Sequence, residues 1–311
     1  MARPLTFKAK RAFECGRVIR SVSSNPRQTA SMLSYRHAYH AGNHADVLKH
    51  LMLGEVIDYF NRKDAPYWYV DTHAGAGKYA TDSDEANKVG EIHEGLGRLA
   101  GWQDAPAAIA RYLKRVNAEG GIGRFYPGSP EIASNEMRPQ DSLRLFELHP
   151  ADSQRLERHF EREGKRVQVK AQDGFSGLKA VLPPPTRRGL VLIDPSYEIK
   201  DDYDTVIKAV EDALKRFATG CFMIWYPVLP RVESRKMASR LQSACADSHS
   251  WLHARLDVRD MQPNGGMSGS GMFVINPPYL LRDTMAGVLP ALVERLGTDE
   301  GATYVLEGHQ R

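Results

Sequence analysis

Two tetrapeptides in this chain join a polar acceptor, proline and tyrosine: Asp194-Pro195-Ser196-Tyr197 and Asn276-Pro277-Pro278-Tyr279. Such a set suits methylation of an exocyclic amine. The amine of an adenine is a poor nucleophile because its lone pair is delocalised into the ring. A side-chain acceptor and a backbone carbonyl, both taking hydrogen bonds from the amine, favour a pyramidal nitrogen and free that lone pair. Proline holds the carbonyl in place, and the tyrosine stacks on a base that has been drawn out of its own stack. By pattern the second tetrapeptide matches better, because in the first Ser196 stands where a second proline would add rigidity.

A cofactor signal lies upstream, in Asp71-Thr72-His73-Ala74-Gly75-Ala76-Gly77. Glycines at 75 and 77 allow a sharp turn and close approach of backbone to a nucleoside. Alone this is ambiguous, since Gly75, Gly77 and Ala80 also satisfy the dinucleotide fingerprint. Two acids favour S-adenosyl-L-methionine. Asp71, four residues before the first glycine, suits a ligand carrying an ammonium and a sulfonium. Glu147, in Phe146-Glu147-Leu148, is placed to accept from both ribose hydroxyls. It comes too late for a compact dinucleotide unit. Asp173, in Gln172-Asp173-Gly174-Phe175, is a candidate reader of the cofactor's adenine amine, although Asp-Gly is also a turn and helix-start signal.

Residues 35–50 hold four histidines, His37, His40, His44 and His50, beside Asp46. Three readings stand: a metal site, capping and packing histidines, or a segment facing cofactor and substrate. The spacing matches no closed zinc site and no cysteine joins in, so no metal is expected. Aromatic and basic side chains together favour the third reading, with base stacking and phosphate contact.

These residues need a scaffold. From residue 45 the chain alternates strand-like and helix-period segments, the mark of an α/β domain with a mostly parallel sheet. Strands are predicted at 67–71, 143–148, 167–171, 190–194, 221–226, 252–258 and 272–276. Helices are predicted near 150–163, 174–182, 202–217, 231–246 and 284–296. About 70 residues separate the first two strands, where a crossover needs roughly 15–25. Residues 80–126 are therefore read as a small helical insertion with helix-like segments at 84–99 and 105–118. Once it is removed, Glu147 falls at the end of the second strand. The expected fold is that of class I, Rossmann-like S-adenosylmethionine-dependent methyltransferases, with a seven-stranded sheet whose last two strands form a hairpin.

That fold decides between the tetrapeptides. Ligands of open α/β sheets bind beyond the carboxyl ends of the parallel strands, near the topological switch point. Asp194 ends the fourth strand, beside the first, whereas Asn276 ends a seventh strand expected to run antiparallel. Asp194 is the expected catalytic residue and Tyr197 the base-stacking one, with Asn276 a structural strand exit.

The 311 residues are 42% hydrophobic and 26% charged, ordinary for a globular protein, and no apolar run reaches membrane-span length. Cys15, Cys221 and Cys245 are too far apart for a CxxC pair and read as reduced thiols. The net charge of +4 is uneven: residues 1–31 carry seven Lys/Arg against Glu14. Subtracting them from 42 basic and 38 acidic residues leaves 35 against 37. An RNA site must then be a local patch. Residues 1–31 are expected to be a flexible basic extension ahead of a methyltransferase domain at 32–311. An early start codon, an RNA-gripping arm and a transit peptide are the other readings of that extension.

The run His37 to His50, the loop Asp71–Gly77, Tyr126–Pro130, Glu147-Leu148-His149-Pro150, Asp173-Gly174-Phe175, the stretch 187–197 and Trp225-Tyr226-Pro227 together resemble the bacterial RlmJ family of 23S rRNA adenine-N6 methyltransferases. The likeness runs in order from residue 32 to about 290. It implies a cytoplasmic monomer with a helical insertion, acting on adenine 2030 before ribosome assembly. It further implies that His50, His73, Ser129, Glu147, Asp173 and Gly174 contact the cofactor, that Asp194 is catalytic and that Tyr35 meets the RNA. Ser196 departs from the family's Asp-Pro-Pro-Tyr form. An adenine-N6 DNA methyltransferase and a non-catalytic RNA-binding protein are the alternatives; the first would normally carry a sequence-reading domain, and the second would not need Asp194.

Overall fold

Short apolar strands that alternate with amphipathic helices bury both faces only if helices cover the sheet on each side. The computed structural model, which describes residues 40–81, 90–117, 124–245 and 249–310, has this arrangement. The first half of the chain forms α1 (His44–Asn61), β1 (Trp68–Asp71), β2 (Lys78–Ala80), α2 (Ala107–Asn117), β3 (Phe125–Pro127), α3 (Ser129–Glu136) and β4 (Ser142–Phe146). There follow α4 (Pro150–Phe160), β5 (Val167–Lys170), α5 (Gly174–Val181), β6 (Gly189–Ile193), α6 (Asp201–Arg216) and β7 (Cys221–Val228). The chain closes with α7 (Met237–Cys245), β8 (Trp251–Asp257), β9 (Gly269–Ile275), α8 (Leu281–Leu296) and β10 (Thr303–His309).

The main sheet has the order β10-β8-β9-β7-β6-β1-β4-β5. Strands β5, β4, β1, β6 and β7 are parallel, and β9 lies antiparallel between β7 and β8. The chain order reverses between β1 and β6, which makes their carboxyl ends the switch point. The sheet holds eight strands, one more than expected. The addition, β10, pairs antiparallel with β8, and most of its residues are exposed. An edge strand of this kind has no buried face to impose an alternating apolar pattern.

Alternation along β6 shows how the core divides. Leu190 and Leu192 join the cluster that contains Leu48, Leu51 and Met52 of α1, whereas Val191 and Ile193 join the cluster beneath α6 and α7. Strand periodicity of two sends neighbours to opposite faces. Helix α1 is buried along most of its length, and the Asn43 side chain caps it by accepting from the backbone N–H groups of Ala45 and Asp46.

Residues 80–126 leave the sheet through a two-stranded antiparallel ribbon of β2 with β3, in register Lys78↔Pro127. The predicted helix at 84–99 is not continuous. Its described part is two single turns, Glu91–Glu94 and Leu96–Leu99, which meet at Gly95. The break lets Leu96 donate its N–H to the carbonyl of Gly42, 2.9 Å away, which ties the segment to the head of α1. Among the described residues no helix is long and apolar enough to cross a membrane.

Candidate active site

A cavity of about 480 Å³ opens at the carboxyl ends of the parallel strands, within the range of cofactor sites. Its wall begins at the turn after β1. Gly75 has φ +61°, and a Cβ there would lie 2.1 Å from the Tyr79 hydroxyl, so only glycine fits. The Gly75 N–H donates to Glu147 Oε2 at 2.8 Å, and the His149 N–H donates to Oε1 at 2.7 Å. Glu147, just past β4, is thus aimed by two backbone donors while burial pushes its pKa up. Asp173, just past β5, caps α5 by accepting from the N–H groups of Phe175 and Ser176, and lines the cavity. Beside it a Cβ on Gly174 would stand 1.8 Å from the Thr72 carbonyl, so the two turns approach too closely for any side chain.

Asp71 is not where a ligand would meet it. It is fully buried, and its carboxylate accepts from the Tyr69 hydroxyl, the Ser129 hydroxyl and the His73 N–H. Its work is to hold Ser129 and His73, both of which line the cavity. Burial lowers the His73 pKa to about 4, so the imidazole is neutral at neutral pH.

Asp194 follows β6 and lines the same cavity. Lys49 of α1 donates to Asp194 Oδ2 at 2.6 Å and lies 2.8 Å from Asp46 Oδ1. Burial opposes the charge on Lys49, but the carboxylates of Asp194 and Asp46 outweigh it and push the ammonium's pKa up. The three described histidines of residues 35–50 go separate ways. His40 pairs with Glu91 at 3.0 Å, His44 is held neutral by burial with a pKa lowered to about 4, and His50 meets the Tyr126 hydroxyl. Tyr35 and His37 lie outside the described residues.

Tyr197 departs from its expected place. Its φ is +53°, it is 1% exposed, and its hydroxyl donates to the Trp225 carbonyl at 2.7 Å. The ring packs on Tyr203 with centroids 4.6 Å apart, and the aromatic residue of this region that lines the cavity is Trp225. A backbone in the left-handed region turns the Tyr197 side chain inward, which the tetrapeptide alone does not reveal. Asn276 is elsewhere. At the end of antiparallel β9 its amide donates to the carbonyls of Ala218 and Gly220, each at 2.8 Å, and Tyr279 is 61% exposed.

A family profile described as "Ribosomal RNA large subunit methyltransferase D, RlmJ" matches residues 64–306. The chain belongs to this family. It is 46% identical to Ribosomal RNA large subunit methyltransferase J of Haemophilus influenzae, over 89% of this chain and 98% of that one. It is also 46% identical to the protein of the same name from Escherichia coli, over 85% of this chain and 94% of that one. Among solved structures, a Legionella pneumophila protein superposes with a TM-score of 0.79 at 33% identity, over 88% of this chain and 99% of that one.

In this RlmJ-family chain the residues present fit S-adenosyl-L-methionine. Glu147 and Asp173 end neighbouring strands as hydrogen-bond acceptors, the Gly75 turn offers backbone where a Cβ has no room, and Asp194 sits across the switch point. Lys49 is the functional group missed in the sequence. Its signal was the spacing of three from Asp46, which puts both on one face of α1. The partner that gives it meaning, Asp194, is 145 residues away.

Proposed function

We propose that this chain transfers a methyl group from S-adenosyl-L-methionine to the N6 amine of an adenine in 23S rRNA, at position 2030 as the resemblance implies. The observation that carries the reading is Asp194, which ends the strand beside β1 and shares one cavity with Glu147 and Asp173. The names of the Haemophilus and Escherichia relatives support large-subunit rRNA as the substrate. The proposed setting is a cytoplasmic monomer that acts before ribosome assembly.

The cofactor supplies an electrophilic methyl group on a sulfonium. Glu147 would accept hydrogen bonds from the ribose hydroxyls, and Asp173 with Gly174 would receive the adenine end. His50, His73 and Ser129, which line the same cavity, would complete the contacts. Asp194 accepts a hydrogen bond from the target amine, which frees the nitrogen lone pair; as the N–C bond forms the methyl–sulfur bond breaks, and the nitrogen's surplus proton leaves to water in the open cavity. The ion pair with Lys49 requires Asp194 as a carboxylate, which is an acceptor only. Tyr35 is assigned to the RNA. A base-stacking role for Tyr197 would need its ring to leave the packing against Tyr203, so Trp225 supplies the aromatic wall in the conformation described.

The test is transfer of labelled methyl groups to protein-free 23S rRNA from cells lacking the enzyme, compared with duplex DNA and assembled large subunits. Label on N6 of one adenine in the free rRNA is the expected result. Preferential labelling of DNA would replace the reading with its nearest rival.

A further inference from the structure

The cavity wall on the α1 side is backed by two linked hydroxyls, one from β3 and one from α2. His50 is 1% exposed and lines the cavity. Its Nδ1 lies 2.7 Å from the Tyr126 hydroxyl, and the two rings stack with centroids 5.6 Å apart at 29°. The Tyr126 hydroxyl lies 3.2 Å from the Tyr112 hydroxyl. Both tyrosines are fully buried, and neither belongs to the cavity lining. Tyr126 comes from β3, the return strand of the ribbon, and Tyr112 from α2. Neither lines the cavity, yet both are linked to a residue that does.

We propose that Tyr126 and Tyr112 are positioning residues for the cofactor: a buried hydroxyl relay that fixes the orientation and tautomer of His50. The inference rests on the proposed contact between His50 and S-adenosylmethionine. Each phenol has one proton to place, because burial keeps both protonated at any working pH. Two orders are consistent with the distances. In one, Tyr112 donates to Tyr126 and Tyr126 donates to Nδ1, which leaves the imidazole proton on Nε2. In the other, Nδ1–H donates outward and Nε2 is an acceptor. Asp46 selects between them. Its Oδ1, which also takes the Lys49 ammonium, is 3.9 Å from His50 Nε2. A carboxylate at that range favours a proton on Nε2 and disfavours a lone pair there. The relay therefore runs inward from Tyr112, and His50 presents an N–H donor. The ligand group it suits is an anion or carbonyl, such as the carboxylate of the cofactor's amino-acid end. Tyr112 of α2 and Tyr126 of β3, neither of which lines the cavity, thereby act on cofactor binding from behind its wall.

The test uses the full chain with 15N-labelled histidine. In the parent protein the His50 nitrogens should report the Nε2–H tautomer. In Tyr126→Phe this preference should weaken, and the KM for S-adenosylmethionine should rise about three- to tenfold, with a smaller change in kcat. Tyr112→Phe, one bond further out, should shift KM the same way by less, which keeps the test alive if Tyr126→Phe folds poorly. A parent His50 in the Nδ1–H form, or an unchanged KM in folded Tyr126→Phe, overturns the relay. His50→Ala separates the two levels. If it weakens S-adenosylhomocysteine binding while Tyr126→Phe does not, the relay alone fails. If His50→Ala leaves binding unchanged, the cofactor contact and the relay fail together.

Discussion

Replacing Lys49 by methionine keeps the length of the side chain and deletes its charge. In the parent, Lys49 is 4% exposed and its ammonium sits 2.8 Å from Asp46 Oδ1 and 2.6 Å from Asp194 Oδ2. The variant leaves both carboxylates where they are and removes the cation they share. Breaking a buried ion pair by deleting one partner costs about 3–5 kcal/mol, because the remaining charge stays desolvated. For a chain of this size that lowers the Tm by roughly 5–10 °C. Differential scanning calorimetry reads the shift directly. The double variant with Asp194→Asn supplies the sharper check, since it removes one of the two charges stranded by the first change. It should recover part of the lost stability, so that the two substitutions together cost less than their sum. A Tm within 2 °C of the parent in Lys49→Met, or strict additivity in the double variant, would refute a charge cluster bridging α1 and β6.

Glu147→Ala should weaken S-adenosylhomocysteine binding by about 2–4 kcal/mol in calorimetry, as expected for loss of a buried charged acceptor; an unchanged Kd would remove Glu147 from the ribose. His44 and His73 are buried neutral, with pKa values lowered to about 4 from 6.5. Between those values the unfolded chain binds more protons than the folded one, so these two groups lower stability as pH falls from about 6.5 to 4. Thermal scans across that window should show the decline, and replacing His73 with glutamine should flatten it; an equal slope would show that His73 does not titrate on unfolding.

Much of the fold was legible because the parallel strands are buried on both faces. Segments such as Leu190 to Ile193 declare themselves by composition, and their order follows from the rule that places Asp194 beside β1. That rule also separated Asp194 from the better-matching Asn276, whose amide is engaged at the other end of the sheet. What stayed hidden depends on long-range contact or local backbone. Strand β10 lacks a buried face, and the β2–β3 ribbon is only three residues wide on each side. Asp71 has the residue type of a ligand contact, but two local donors, Tyr69 and His73, and the Ser129 hydroxyl 58 residues away turn it into a support for the wall. His50 and Tyr126 are 76 residues apart, and no spacing pattern joins them. The inward turn of Tyr197 follows from one positive φ, which a non-glycine residue does not advertise.

The most direct test of the account sets the two tetrapeptides against each other in methyl transfer to protein-free 23S rRNA. Asp194→Ala removes the acceptor for the adenine amine and leaves the Gly75 turn and Glu147 untouched. It should lower turnover by several orders of magnitude with little change in cofactor affinity, as for an interaction realised mainly in the transition state. Asn276→Ala should lower turnover less than about tenfold, chiefly by freeing the carbonyls of Ala218 and Gly220 and so reducing stability. Circular dichroism must show both variants folded. Near-normal turnover in Asp194→Ala, with a folded but inactive Asn276→Ala, would contradict the assignment and move the reaction to the opposite end of the sheet.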